Sequence, residues 1–298
     1  MDGRGHYSRI DMRKHSAILA IVFLLSIPSL SQTATKKFHF TPTPEEVVWS
    51  RLEKFGGKNR DREQTLRSMF VEAGCKPEQI TELPVKHTPA PNVLCTIPGE
   101  SGGRVIIVGA HFDYIDRGKG VVDNWSGAAM LPSLLQAVIK EPRRHTYKFI
   151  GFTDEEKGLI GSEDYAKHLS DEERAQISGM VNIDTVGLDK TEVWLTHAAP
   201  ELSTPLANIA KAMNLPLYQM NVDGAASSDS ESFRNRKIPA MTIHSVTQKN
   251  FAILHTAKDT IDQISRKDYL ETYRLMAGYL VYLDDYLDSP NVISSPAK

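Results

Sequence analysis

Residues Val105–Ala110 read VIIVGA and run straight into His111. An unbroken apolar run of strand length, without polar alternation, is the mark of a strand covered on both faces. Three more stretches behave the same way. Tyr147–Thr153 (YKFIGFT) runs into Asp154-Glu155-Glu156, MVNI from Met180 runs into Asp184, and AMTI from Ala240 runs into His244. Helical spacing of apolar residues appears over Ser126–Ile139, Leu159–Leu169, Leu202–Met213 and Lys267–Leu287. Strands with few polar residues, alternating with helices, predict a three-layer α/β/α sandwich around a central mixed, mostly parallel sheet. Pro132 predicts a kink or a later start for its helix. Val193–Thr196 (VWLT) and segments near 79–85 and 91–97 add further strands. Thr43 as N-cap, Pro44 at the first position and Glu45-Glu46 in the first turn start a helix running to Phe55. A second helix covers 59–73 and stops at Gly74.

Four strand candidates thus end in acids or histidines. Ligands of open α/β sheets bind beyond the carboxyl ends of the strands, so these groups converge on one crevice. In His111-Phe112-Asp113, residues i and i+2 share a side of an extended chain. A metal-binding His donates its other ring N–H to a carboxylate, a role open to Asp113; the plain alternative is a chance pair. Asp123-Asn124-Trp125-Ser126-Gly127 precedes a helix, so Asp123 is either a helix cap or a carboxylate bridging two metals. Gly118 and Gly120 let the loop before it fold into the crevice. Asp154, Glu155 and Glu156 crowd like charges, which a cation or proton must offset. Their alternative is an acidic first turn of a helix. His255, in a loop before the last helix, gains meaning only from its neighbours. HExxH, GxSxG and P-loop patterns are absent.

The 298 residues, 41% hydrophobic, suffice for one substantial core. A net charge of -2 without a Lys/Arg block argues against a nucleic-acid partner. Arg13-Lys14-His15, the apolar run Ala17–Ile27, Pro28 and the small-x-small Ser29-Leu30-Ser31 read as a secretory signal peptide. Met12 would be a tidier start than Met1. The expected organisation is a signal peptide over 1–31, a linker over 32–44 and one main domain over 45–290. The protein would be secreted or periplasmic, with no stable membrane span after signal cleavage. Cys75 and Cys95 would then be free to form a disulfide; the alternative is two buried thiols.

Taken together, the motifs resemble the co-catalytic di-zinc aminopeptidase family of bacterial leucyl aminopeptidase and aminopeptidase S, with glutamate carboxypeptidase and glutaminyl cyclase as relatives. They are His111-x-Asp113, Asp123-Asn124-x-Ser126-Gly127, Glu155-Glu156-x-Gly158-Leu159-x-Gly161-Ser162, Asp184 and His255-Thr256-x-x-Asp259-Thr260. They occur in the family's order over roughly 104–262. Ser228-Asp229-Ser230-x-x-Phe233 and Ile238-Pro239-Ala240 fit as well. The resemblance implies two zinc ions, with cobalt or manganese as substitutes. One would take His111, Asp123 and Asp184; the other Asp123, Glu156 and His255. It implies a peptide substrate and Glu155 as general base. Ser230 stands where the family often has His, and Leu254 where it often has Tyr, which puts substrate details in doubt. Three other readings remain: a single-zinc glutaminyl cyclase-like acyltransferase, a carboxypeptidase with Arg234 and Arg236 near its site, and a non-catalytic binding domain on the same fold. The side-chain preference of the pocket is not legible; His197, His244 and Trp125 are candidates for its rim.

Overall fold

The computed structural model describes residues 39–100, 104–222, 224 and 226–288. The expected signal segment, residues 1–31, lies outside them. Eight strands form one sheet: β1 (Ile80–Leu83), β2 (Asn92–Ile97), β3 (Val105–His111), β4 (Thr146–Phe152), β5 (Ile177–Ile183), β6 (Glu192–Val193), β7 (Tyr218–Gln219) and β8 (Ala240–His244). Their order is β1-β2-β4-β3-β5-β8-β6-β7. The four apolar runs make its centre, where β4, β3, β5 and β8 lie mutually parallel. The sheet is mixed because β2 pairs antiparallel with β1 and β4, and β6 pairs antiparallel with β8.

Among the described residues, eight helices cover the two faces: α1 (Glu45–Leu52), α2 (Asn59–Glu72), α3 (Ser126–Val138), α4 (Ile160–Lys167), α5 (Asp171–Gln176), α6 (Pro200–Met213), α7 (Ser230–Arg234) and α8 (Arg266–Leu287). Side-chain alternation along the strands divides the core in two. Ile106, Val108, Tyr147, Phe149, Val181 and Met241 pack with residues of α1, α2, α3, α6 and α8. Ile107, Ile150, Phe152, Met180 and Ala240 face the other way and pack with Tyr165 and Ala166 of α4 and Phe233 of α7. This is the three-layer sandwich that the sequence predicts. Among the described residues, no helix is long and apolar enough to cross a membrane.

The local departures have physical causes. Thr43 does not cap α1: its hydroxyl donates to the Ser133 carbonyl and its amide to the Tyr273 hydroxyl, so it ties the chain to α3 and α8. Pro132 neither kinks nor delays α3, which runs continuously from Ser126. The bond it cannot make is to Ala128, in the first turn, so little of the ladder is lost. The VWLT stretch is not one strand. Glu192–Val193 pairs with β8, and Leu195–His197 then turns as a 3-10 segment. Cys75 and Cys95 are joined in a disulfide across a sequence separation of 20, linking the end of α2 to β2. Closing a loop of that size typically stabilises by about 2–4 kcal/mol.

Candidate active site

The carboxyl edge of the parallel strands carries the predicted residues. His111 ends β3, Asp154-Glu155-Glu156 follow β4, Asp184 follows β5, and Asp123 and His255 come from loops. His111 Nε2 stands 3.3 Å from Asp123 Oδ1 and 3.6 Å from Asp184 Oδ1. The other Asp123 oxygen, Oδ2, stands 3.1 Å from His255 Nε2, which is 2.9 Å from Glu156 Oε2. The donor atoms of His111, Asp123 and Asp184, and those of Asp123, Glu156 and His255, each lie within 4.8 Å of one another. Asp123 is the member common to both groups, with one oxygen turned to each. Glu155 Oε2 lies 3.9 Å from His111 Nε2.

These groups suit divalent cations better than they suit each other. A tetrahedral ion with bonds of about 2.0–2.1 Å has donor–donor edges of about 3.3–3.4 Å. The His111 distances fall near that value and are longer than hydrogen bonds. The His255 distances are those of hydrogen bonds. In the chain alone, protons do the offsetting. Burial by itself would lower His111, but Glu155, Asp113, Asp123 and Asp184 outweigh it and hold the imidazole well above its usual range. Burial and the Asp123 charge push Glu156 up to about 8, and the Asp123 hydrogen bond pushes His255 up to about 9. Burial raises Glu155 well above the carboxylate range, and raises Asp229 to about 7. Asp123 is held low, because the two imidazoles beside it, His111 and His255, overcome its burial. Glu156 Oε1 is buried and has no hydrogen-bond partner among the described residues. Nitrogen and carboxylate donors without thiolate fit zinc, as the sequence implies.

The scaffold explains how each side chain is aimed. Asp113 accepts from the backbone amides of Glu155 and Glu156, at 3.0 and 3.2 Å, and lies 3.4 Å from His111 Nδ1. It therefore sets the acidic turn as well as the imidazole. That turn is a single 3-10 turn over Glu155–Lys157, not the start of a helix. Asp154 departs from the convergence: its carboxylate turns to Asn59 and Lys157. Asp154, Leu159, Thr185 and His255 all have positive φ, between 50° and 61°. Such backbone costs roughly 1–2 kcal/mol per non-glycine residue, and here it flanks the converging groups. Asp123 is not a helix cap. Asn124 Oδ1 instead accepts from Gly127 and Thr185, and its amide donates to the Ile183 carbonyl, which ties α3 to the end of β5.

Several residues of the sequence motifs take roles that only the fold reveals. Ser228 donates to Asp184 Oδ2 at 3.0 Å and is held in turn by Asn182. Asp259 accepts from the amides of Val122 and Asp123. His244, though it ends a strand, joins neither donor group. Its Nε2 meets the Met220 carbonyl at 3.0 Å and its Nδ1 accepts from Val246 at 3.1 Å. A cavity of about 750 Å³ opens over the acids, with Trp194, Val222, Val246, Phe251, Leu254 and His244 in its walls. Of the rim candidates, His244 lines the cavity, His197 stacks on Trp194, and Trp125 is fully buried in the core. Among the described residues no Lys or Arg lines the cavity; Arg236 pairs with Glu163.

A sheet edge that gathers two His/Asp/Glu donor groups around one shared carboxylate is a candidate metal centre. Residues 92–280 match the model of Peptidase family M28, and the chain belongs to that family. It is similar to a probable leucine aminopeptidase of Arthroderma benhamiae, at 28% identity over 65% of this chain and 58% of the relative. The chain thus spans less than two thirds of that relative's length. In fold it is similar to the Legionella pneumophila LapA aminopeptidase, with a TM-score of 0.71, 19% identity, and 81% of this chain and 72% of the other covered. It is similar also to an Acidobacteriales bacterium glutaminyl cyclase, with a TM-score of 0.72, 16% identity, and 86% and 99% covered.

Proposed function

We propose that this protein is a zinc-dependent aminopeptidase that removes N-terminal residues from peptides. The observation that carries the reading is the division of Asp123 between two donor groups, with Glu155 beside them. His111, Asp123 and Asp184 would hold one ion; Asp123, Glu156 and His255 the other. Two such ions supply Lewis acidity toward a scissile carbonyl and toward water. Glu155, a buried acid with a raised proton affinity, takes a proton from the attacking water and returns it to the leaving amine. Asp113 holds the backbone of Glu155 and Glu156 and orients His111.

The apolar wall of Trp194, Val222, Val246, Phe251 and Leu254 suits an apolar N-terminal side chain. The name of the Arthroderma benhamiae relative supports the same preference. A carboxypeptidase needs a cation for the substrate's terminal carboxylate, and the described cavity wall carries no Lys or Arg. Two complete donor groups favour the hydrolase over a single-zinc cyclase. The segment over 1–31 as an export signal fits the Cys75–Cys95 disulfide, since such bonds persist in oxidising compartments.

The test is a panel of aminoacyl chromogenic substrates, their N-acetylated counterparts and N-terminal glutaminyl peptides. Chelator-sensitive release from free-amine apolar substrates alone is expected. Pyroglutamate formation, or release of C-terminal residues, would replace this reading with the cyclase or the carboxypeptidase.

A further inference from the structure

The loop between the two ligand-bearing segments is held by a residue far from the site in sequence. Arg62 of α2 is a buried guanidinium, 1% exposed. Nη1 donates to the carbonyls of Phe112 and Gly120, at 3.0 and 3.1 Å, and Nη2 to that of Lys119. Its plane lies 4.1 Å from the centre of the Tyr114 ring and near Trp125. Among the described residues it forms no ion pair with an acid; Asp259 and Asp113 act on it only through space. Burial lowers its pKa to about 10, so it is charged at neutral pH.

A buried cation without a paired anion is expensive and persists only where its hydrogen bonds are needed. Here the acceptors identify the need. Phe112 sits between His111 and Asp113, while Lys119 and Gly120 come just before Asp123. One guanidinium therefore closes the two ends of the loop onto each other. From the opposite side, the Asp259 carboxylate holds the Val122 and Asp123 amides, and the Lys119 amide donates to the Asp259 carbonyl. The loop has no slack for another solution. A Cβ at Gly118 would come within 2.2 Å of the Thr256 carbonyl. Gly120 has φ 54°, and a Cβ there would meet Tyr114.

We infer that Arg62 is a positioning residue: its guanidinium staples Phe112 to Lys119-Gly120 and so fixes the distance between His111 and Asp123 that metal binding requires. The inference rests on the two-ion reading for its consequence, but the staple itself is a property of the metal-free chain.

The experiment compares Arg62→Ala, Arg62→Lys and a control on the same helix, Leu66→Ala, which removes buried packing but none of the loop's hydrogen bonds. Two quantities are read: amide hydrogen exchange over residues 112–123 in the metal-free full chain, and zinc affinity by competition with a chelator. Arg62→Ala is expected to raise exchange across this loop and to weaken zinc roughly 10–100-fold, the usual effect of losing a partner behind a ligand. Millimolar guanidinium, but not sodium chloride at equal ionic strength, restores both. Arg62→Lys keeps the charge but has no planar fork to span three carbonyls, so it behaves like the alanine variant. Leu66→Ala melts at a lower temperature and keeps the wild-type exchange and affinity. Wild-type exchange in Arg62→Ala or Arg62→Lys, or equal zinc weakening in Leu66→Ala, overturns the staple. Raised exchange in a chain whose wild type takes up no zinc upholds the staple and overturns the proposed function.

Discussion

Strand β4 separates two buried acid–histidine clusters, one at each end. Before it, Asp284 of α8 accepts from the amides of Arg144 and His145, at 2.8 and 2.9 Å, and meets His145 Nδ1 at 3.1 Å. Beyond its other end lie Glu155 and Glu156, with His111, Asp123 and His255. Burial alone would raise the pKa of the acids in both clusters. At Asp284 the His145 side chain and two backbone amides overcome it and bring the pKa below the usual carboxylate range. At Glu155 and Glu156 burial prevails, and the neighbouring acids add to it. The Asp284 carboxylate is satisfied by the fold, which makes its role structural. The other cluster is left short of positive charge by the fold, which is what a cation site requires. Burial of ionisable groups is common to both; the count of hydrogen-bond donors separates them.

The contrast can be broken at either end. The largest effect is expected from Glu155→Gln, which should lower kcat by at least about 10²–10⁴-fold, the usual worth of a positioned general base. Zinc content and melting temperature should stay at wild-type values or rise, because a neutral amide replaces an acid that burial disfavours. Turnover at the wild-type rate would remove Glu155 from the chemistry. Next comes Asp123→Ala, which should empty both positions together in elemental analysis. A variant that keeps a full equivalent of zinc would show that Asp123 is not shared. At the opposite end, Asp284→Ala should cost about 1–3 kcal/mol in denaturant unfolding, since it strands two buried amides. Its zinc content should not change; a loss would mean that the two ends are coupled.

The pH dependences should run by different rules. The folded pKa of Asp284 is depressed, so its contribution is present above about 3.9, the ordinary Asp value. It is lost as pH falls through the folded value. Asp284→Asn should therefore lower stability by a constant, modest amount across the neutral range and flatten the acid limb, the smallest effect predicted here. For zinc the sign follows from competition. Glu156 near 8 and His255 near 9 carry protons at neutral pH, which zinc must displace. Affinity should rise with pH to about 9, and zinc loading at neutral pH should release protons. Proton uptake on loading would contradict the assignment.

What was readable in the sequence was whatever repeats a simple rule. Doubly buried strands have no polar alternation, so VIIVGA and its counterparts announced both the sheet and the edge where His111, Asp184 and the acidic turn stand. Order along the chain then supplied Asp123 and His255, which sit on loops and carry no periodic signal. The unreadable part depends on tertiary placement. Arg60, Arg62 and Arg67 look alike in a polar helix, yet Arg62 is buried while the exposed Arg60 and Arg67 pair with the buried Glu63 and the exposed Glu82. Asn124 and Ser228 act through backbone and carboxylate partners about 44–61 residues away in sequence. The strands at β6 and β7 are two residues each, too short for any pattern to register.

The central claim is that the carboxyl edge of this sheet holds two ions through one shared aspartate. Zinc per chain, by elemental analysis of the purified full chain after metal loading and removal of excess, tests it most directly. About two equivalents are predicted, both removable by chelator together with the release of amine from aminoacyl substrates. One equivalent that Asp123→Ala leaves in place, or none at all, would contradict it.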